Sequence, residues 1–433
     1  MSGKEDPMAE QHPAAPPQIP SHKDKYDPFE EFNRVQGRSA VRNPYPQFEQ
    51  LRSRCPVQKI DLRQLLGNEV PIPPDVVLEV YAALNHEAAS EVLRDSNRFT
   101  SRGYAMSMGQ VFGHSILEMD PPEHTRYRAL LQHAFTKRAL DRWERDLVGP
   151  VVHGLIDRFV ERGSADLVRE LTFPFPVAVI AGMIGVPKDQ LDNFHRWAVE
   201  LISVQFARER GVAASEKLGN LFAQILADRR RQPRDDLTSV LAHAEIDGSK
   251  LNDEDIFAFL RLLAPAGAET TYRSSSNLFL ALLTHPSQFE ALRRDRSLIP
   301  QAIDEGLRWE CPLTGIMRIA TAETEVAGTK LPAGALVNVN LGAANHDDSR
   351  YENPECFDIF RPRKQHLAFA HGPHTCLGMH LALMETRVVL EAVMDRLPNL
   401  RLHPEAVDVH IGGVIFRSPS ELPVAFDAGR VRA

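Results

Sequence analysis

Two short stretches carry residue types that could do chemistry. The first is Phe369-Ala-His-Gly372-Pro-His374-Thr-Cys376-Leu-Gly378. Cys376 stands just ahead of an amphipathic segment, Leu377 to Leu397, that reads as a helix. Unpaired main-chain N–H groups and the dipole at such an end favour an anion. They should lower the thiol pKa and hold a thiolate, the form that ligates metals. The second stretch is Ala266-Gly267-Ala-Glu269-Thr270-Thr271, an acid beside an alcohol. The Thr270 hydroxyl can bond the carbonyl of residue 266 or turn to another acceptor, and Glu269 can relay protons from water.

These residues need elements to hold them. Apolar periodicity predicts helices over 121–139, with Asp120 as cap, and over 143–162, 187–208 and 212–231. A long buried helix is expected from Asp253 to Leu283, ended by His285-Pro286, and another over 299–309. The run Arg229 to Asp236 reads as an exposed loop. From Gly315 the pattern alternates with Gly and Pro punctuation, so short strands and turns are expected there and in the last 35 residues, with loop over 342–375. The expectation is a mainly helical fold with a small β part: a mobile tail over residues 1–25, then a single domain over 26–433.

The whole chain narrows the possibilities. Its 433 residues are 43% hydrophobic, enough for a large core. The 50 Lys and Arg against 58 Asp and Glu give a net charge of −8, which speaks against nucleic-acid binding. Cys55, Cys311, Cys356 and Cys376 lie too far apart for a zinc site and are too few for a disulfide scaffold. No leader or membrane span is legible, so a cytoplasmic location is expected.

The loop at Cys376 resembles the haem loop of the cytochrome P-450 family, F-x-x-G-x-x-x-C-x-G, in its soluble bacterial type. The resemblance extends upstream in the family's order. Glu305-Gly-Leu-Arg308 is similar to the E-x-x-R pair, with Arg361 in Phe357-Asp-Ile-Phe-Arg361 as third member of a supporting network. Arg318, and His124 with Arg128 in Asp120-Pro-Pro-Glu-His124-Thr-Arg-Tyr-Arg128, match positions that hold haem propionates. The stretch from Ala266 to Thr270 is similar to A-G-x-(D/E)-T.

The resemblance implies the triangular helical P-450 fold, with haem b between the long central helix and the helix after Cys376. Cys376 would be the axial thiolate, which favours O–O cleavage. His374 would reach a ring carboxylate, Phe369 would pack on the ligand loop, and Gly372 and Gly378 would let backbone approach the ring. Gly267 would leave room for oxygen beside Ala266, and Glu269 and Thr270 would supply protons. Pro265, unusual there for the family, is expected to kink the helix one turn earlier.

Substrate walls are implied around Phe99–Leu117, Phe194–Phe222, Leu262 and Ala266, Leu313–Met317 and Gly412–Phe416. Met106, Met108, Val111, Phe112, Ile316, Met317, Val414 and Ile415 are the candidates, forming an apolar pocket for a terpenoid, aromatic or fatty molecule. Arg98 and Arg102 could bind a substrate carboxylate, but read rather as solvated or held by haem or backbone. No flavin or nicotinamide fingerprint occurs, so electrons would come from a ferredoxin with an NAD(P)H reductase, docking near Arg126, Arg138, Arg142 and Arg363. A monomer is expected. The activity implied is O2-dependent monooxygenation. The alternatives are a peroxide-driven peroxygenase and a non-catalytic haem binder or sensor, and the intact Glu269–Thr270 pair argues against both.

Overall fold

The computed structural model describes residues 26–37, 41–67, 79–246 and 248–432; the expected tail over 1–25 lies outside them. The elements that shape the site are α1 (Pro28–Val35), β1 (Val57–Lys59), β2 (Val80–Ala83), α2 (His86–Arg94), β3 (Phe99–Thr100) and α3 (Gly103–Ser107). They continue with α4 (Glu123–Gln132), α5 (Pro174–Ile184), α6 (Leu191–Ile202), α7 (Arg208–Arg231) and α8 (Asp253–Thr284). The last are α9 (Ile299–Trp309), β4 (Gly315–Ala320), β5 (Leu336–Asn340) and α10 (Met379–Arg396).

Helix α8 is the axis of the molecule. Its 32 residues begin at a reciprocal capping box between Asn252 and Asp255, and Asp253, Glu254 and Asp255 fill the first turn, where the dipole favours acids. It ends at His285, before Pro286. The helix spans Pro265 without a break in its extent, and the Arg261 guanidinium donates to the Ser215 carbonyl of α7 at 3.2 Å. Helices α5, α9 and α10 pack on α8. Their apolar faces form one large core that includes Phe175, Ile180, Phe279, Ile303 and Val389.

A five-stranded sheet flanks this bundle in the order β1-β2-β5-β4-β3. Strand β5 is parallel to β2 and antiparallel to β4, with Val337 opposite Arg318. The C-terminal strands return to the bundle, where Pro423–Ala425 pairs with Ser164–Asp166. Helix α1 packs on α6. Phe29 packs against Phe173 and His195 at ring-centroid distances of 4.6 and 4.5 Å, and Asn33 accepts a hydrogen bond from Arg273 of α8 at 3.1 Å.

Three local expectations are corrected. Asp120 does not cap α4, which begins at Glu123. Its carboxylate instead accepts from the Ser101 N–H at 2.9 Å and from the Thr100 hydroxyl, closing the end of β3. The stretch from Trp143 to Arg162 is not one regular helix: a wide turn over Glu144–Val148 separates Lys137–Trp143 from Gly149–Asp157. Arg229 to Asp236 is not simply an exposed loop, because Arg229 ends α7 and is buried in an ion pair with Asp236, the cap of the next helix. A charge pair with both partners buried leaves no trace in hydropathy.

Candidate active site

The site lies where α8 and α10 diverge. A cavity of about 310 Å³ separates them, closed at one side by β4 and the end of α4. In a helix otherwise largely buried, Ala266 has accessible surface because it faces this cavity. Phe259, Leu263, Ala266, Thr270 and Ser274 line it from α8, a single stripe at helical spacing. Leu381, Ala382, Glu385 and Thr386 line it from α10, and Ile116, Leu117, Leu313 and Ile316 complete apolar walls.

Cys376 is the cysteine that faces the cavity. Its N–H donates to the Phe369 carbonyl at 2.9 Å, which closes the loop below it. Burial pushes the Cys376 thiol up, against the opposing pull of the Gly378 N–H and the Arg128 guanidinium. The helix end therefore does not by itself secure the thiolate, as the sequence reading expected. A bound metal cation deprotonates a coordinating thiol outright, and that charge is what the site needs.

Two arginines and two histidines gather together. His124, Arg128, Arg318 and His374 all line the cavity. The His124 and His374 rings are 4.1 Å apart, and the Ser101 hydroxyl lies 3.1 Å from His374 Nε2. Burial holds both imidazoles neutral, and with the nearby Arg318 charge it pushes His374 down to about 3. Burial also lowers Arg318 and Arg128. His124 Nε2 is buried with no partner, and neither arginine has a carboxylate in ion-pair range among the described residues. Buried donors of this kind call for anions.

Haem fits this set. Two carboxylates would meet two guanidinium and two imidazole groups. A flat ring would lie between α8 and the Cys376 loop, where a Cβ added to Gly378 would touch nothing within 4 Å. The other glycines do different work. A Cβ on Gly372, at φ +77°, would lie 2.6 Å from the Leu93 carbonyl, so Gly372 seats the loop on α2. Gly267 lines the cavity, and a Cβ on it would lie 2.5 Å from Ile180 Cδ1, so that glycine also serves the α5–α8 contact.

The acid and the alcohol part company. Thr270 lines the cavity and donates to the Ala266 carbonyl at 2.8 Å. Glu269 is buried off the lining and pairs with Arg273 at 3.0 Å. Arg273 in turn donates to Asn33 and to the Ser418 hydroxyl. Beneath the cavity, Glu305 and Arg308 form a buried bidentate pair, with both contacts 2.7 Å. Arg361 reaches Glu305 at 3.2 Å, and Arg308 also holds the carbonyls of Asn345, Pro354 and Cys356.

Of the substrate candidates, Ile316 lines the cavity. The rest do not. Met106 is 70% exposed, Met108 packs against the core, and Val111 is wholly buried in it. Met317 lies on the opposite face of β4 from Ile316 and Arg318. Val414 is buried, its carbonyl taken by the Thr314 hydroxyl at 2.7 Å. Missed residues include Phe259, Ser274 and Glu385, while Tyr104 lies within the expected Phe99–Leu117 wall and Thr271 within the Ala266–Thr271 stretch. The α8 stripe was readable from its spacing. Glu385, fully buried, hydrogen-bonded by Thr271 and pushed up to about 8, had no such signal.

The sequence model of the family described as "Cytochrome P450" matches residues 183–407. A steroid C26-monooxygenase of Mycolicibacterium smegmatis is 35% identical over 353 residues, covering 80% of this chain and 87% of its own. The chain belongs to the cytochrome P-450 family. This P-450 is also 32% identical to the monooxygenase PikC of Streptomyces venezuelae, over 91% of its length and 94% of PikC. The crystal structure of CYP109E1 from Bacillus megaterium with testosterone superposes with a TM-score of 0.79 at 32% identity, covering 89% of this chain and 99% of that one. The fold is that of bacterial P-450s, the cofactor is haem with cysteine thiolate ligation, and the enzyme is a monooxygenase. No helix among the described residues is long and apolar enough to cross a membrane.

Proposed function

We propose that this P-450 inserts one atom of O2 into a C–H bond of a hydrophobic small molecule of steroid or terpenoid type, with Cys376 as axial ligand. The apolar walls around a cavity that ends at Cys376 carry this reading. The named relatives add to it, since one is a steroid monooxygenase and one holds testosterone. The balance is R–H plus O2, two electrons and two protons giving R–OH and water. Haem, when bound, supplies the iron at which O2 is reduced. His124, Arg128, Arg318 and His374 hold its carboxylates. The Glu305–Arg308–Arg361 network keeps the loop beneath it rigid.

Thr270 presents its hydroxyl on the oxygen side. Glu269 supplies protons there only when its pair with Arg273 opens, because the carboxylate is held off the cavity wall. Electrons come from a separate ferredoxin and NAD(P)H reductase in the cytoplasm, to a monomer. Of the four arginines first assigned to docking, Arg142 and Arg363 are paired with Asp235 and Asp304, which leaves exposed Arg126 and Arg138.

The test is the reduced carbon monoxide complex. The wild type should show the red-shifted thiolate band and Cys376→Ser should lose it. A Cys376→Ser protein with the band intact would exclude this ligand. A ligand screen read by the haem spin-state shift then identifies the substrate, and product formed per NAD(P)H consumed separates turnover from mere binding.

A further inference from the structure

Six residues that line the cavity carry a hydroxyl. Five spend its proton inside the protein. Thr270 donates to the Ala266 carbonyl at 2.8 Å, Ser274 to Thr271 at 3.1 Å, Thr375 to Gly372 at 2.8 Å, and Thr386 to Ala382 at 2.8 Å. Thr271 bonds the Glu385 carboxyl.

Tyr104 is the sixth, and it differs. Its hydroxyl oxygen accepts from the Met317 N–H at 3.0 Å. The cause lies in the sheet. Strand β3 pairs Phe99 with Ala320 and Thr100 with Ile319, then stops. Continued register would set Arg102 opposite Met317, but the chain has already turned into α3. The Met317 N–H on that edge is left to the phenol. Helix α3 sits hard against β4 to make this bond: a Cβ on Gly103 would lie 2.8 Å from Ile319 Cδ1. A phenol held as acceptor by a main-chain donor still has its own proton to give. No acceptor for that proton exists among the described residues.

We propose that Tyr104 donates this hydrogen bond to the substrate, so that the enzyme selects hydrophobic molecules bearing a neutral carbonyl oxygen. The inference rests on the proposed function and narrows its substrate class. Two guanidinium and two imidazole groups line the cavity to meet the haem carboxylates, so Tyr104, although near Arg318, is not needed for their charge. With the other five hydroxyls spent inside the protein and the guanidinium and imidazole groups given to the haem carboxylates, this one donor sets which end of a ligand points away from it.

The experiment is a spin-state titration of the holoenzyme and of Tyr104→Phe with cyclododecanone and with cyclododecane, which share a skeleton and differ in the carbonyl. The variant should weaken ketone binding about three- to tenfold, the worth of one neutral hydrogen bond, and leave the hydrocarbon unchanged. Equal weakening of both would mean a packing role and overturn the proposal. So would an unchanged ketone affinity, or a wild type that binds neither probe. A Tyr104→Phe protein with altered ligand-free Soret absorption and intact ketone preference would assign the donor to the haem instead. The carbon monoxide band, read on the same samples, reports the haem–thiolate assignment separately.

Discussion

Thr270 and Glu269 are adjacent in sequence, yet one faces the cavity and the other a buried arginine. Their substitutions should therefore fail differently. Thr270→Ala should keep substrate affinity and lower product per NAD(P)H by at least about tenfold, with peroxide released in its place, since a positioned proton donor contributes about 10²- to 10⁴-fold. Peroxide assay beside product quantification checks this. Glu269→Gln should slow turnover with a changed pH profile, while Arg273→Lys, which keeps the charge, should restore more activity than Arg273→Met. At this scale the sequence was informative wherever a residue's type determines its use. The Cys376 loop, Thr270 and the Glu305–Arg308 pair stand where spacing put them. The partner of Glu269 was not legible, although Arg273 lies four residues on, because a surface pair and a buried pair look alike in sequence.

Helix α8 meets α5 at Gly267 with no room for an added methyl. Gly267→Ala should cost about 1–3 kcal/mol by overpacking, because Ile180 is itself fully buried and cannot swing clear. Ile180→Val in that background should recover part of the loss in a denaturant melt. If Gly267 instead served oxygen access, the double variant would regain stability but not turnover. Breaking the element below the site should cost more. Arg308→Ala leaves the buried Glu305 carboxylate with only Arg361 as ionic partner, and about 3–5 kcal/mol should be lost, with poor haem retention read by the ratio of Soret to protein absorbance. The long helices were legible in extent because their apolar period is long. Those near Asp120 and Trp143 were not, because capping carboxylates and wide turns are decided by tertiary partners that a local pattern does not contain.

Across the whole molecule, buried histidines set the acid limit. His195 and His346 are fully enclosed and are held down to about 3, chiefly by burial, against about 6.5 when unfolded. Below pH 6.5 the unfolded chain takes up protons that the folded chain refuses, so stability falls as pH drops toward 3. Each histidine contributes a slope of up to about 1.4 kcal/mol per pH unit over that window. Thermal melts from pH 7 to pH 4 should show the decline, and His195→Phe should make it shallower. The mainly helical fold with a small sheet was legible from composition and period. The order of the sheet was not, since β2 and β5 pair in parallel across more than half the chain.

Helix α1 has a practical consequence for anyone handling the gene product. Asn33 reaches the same arginine that restrains Glu269, so α1 is wired to the oxygen side of the enzyme. A shortened version starting after residue 37 would keep the Cys376 loop and should still give the carbon monoxide band. It would nonetheless waste reducing equivalents, so a spectrum alone would pass a preparation whose coupling had already been lost. A reductase or affinity handle is better joined beyond Ala433 than in place of α1.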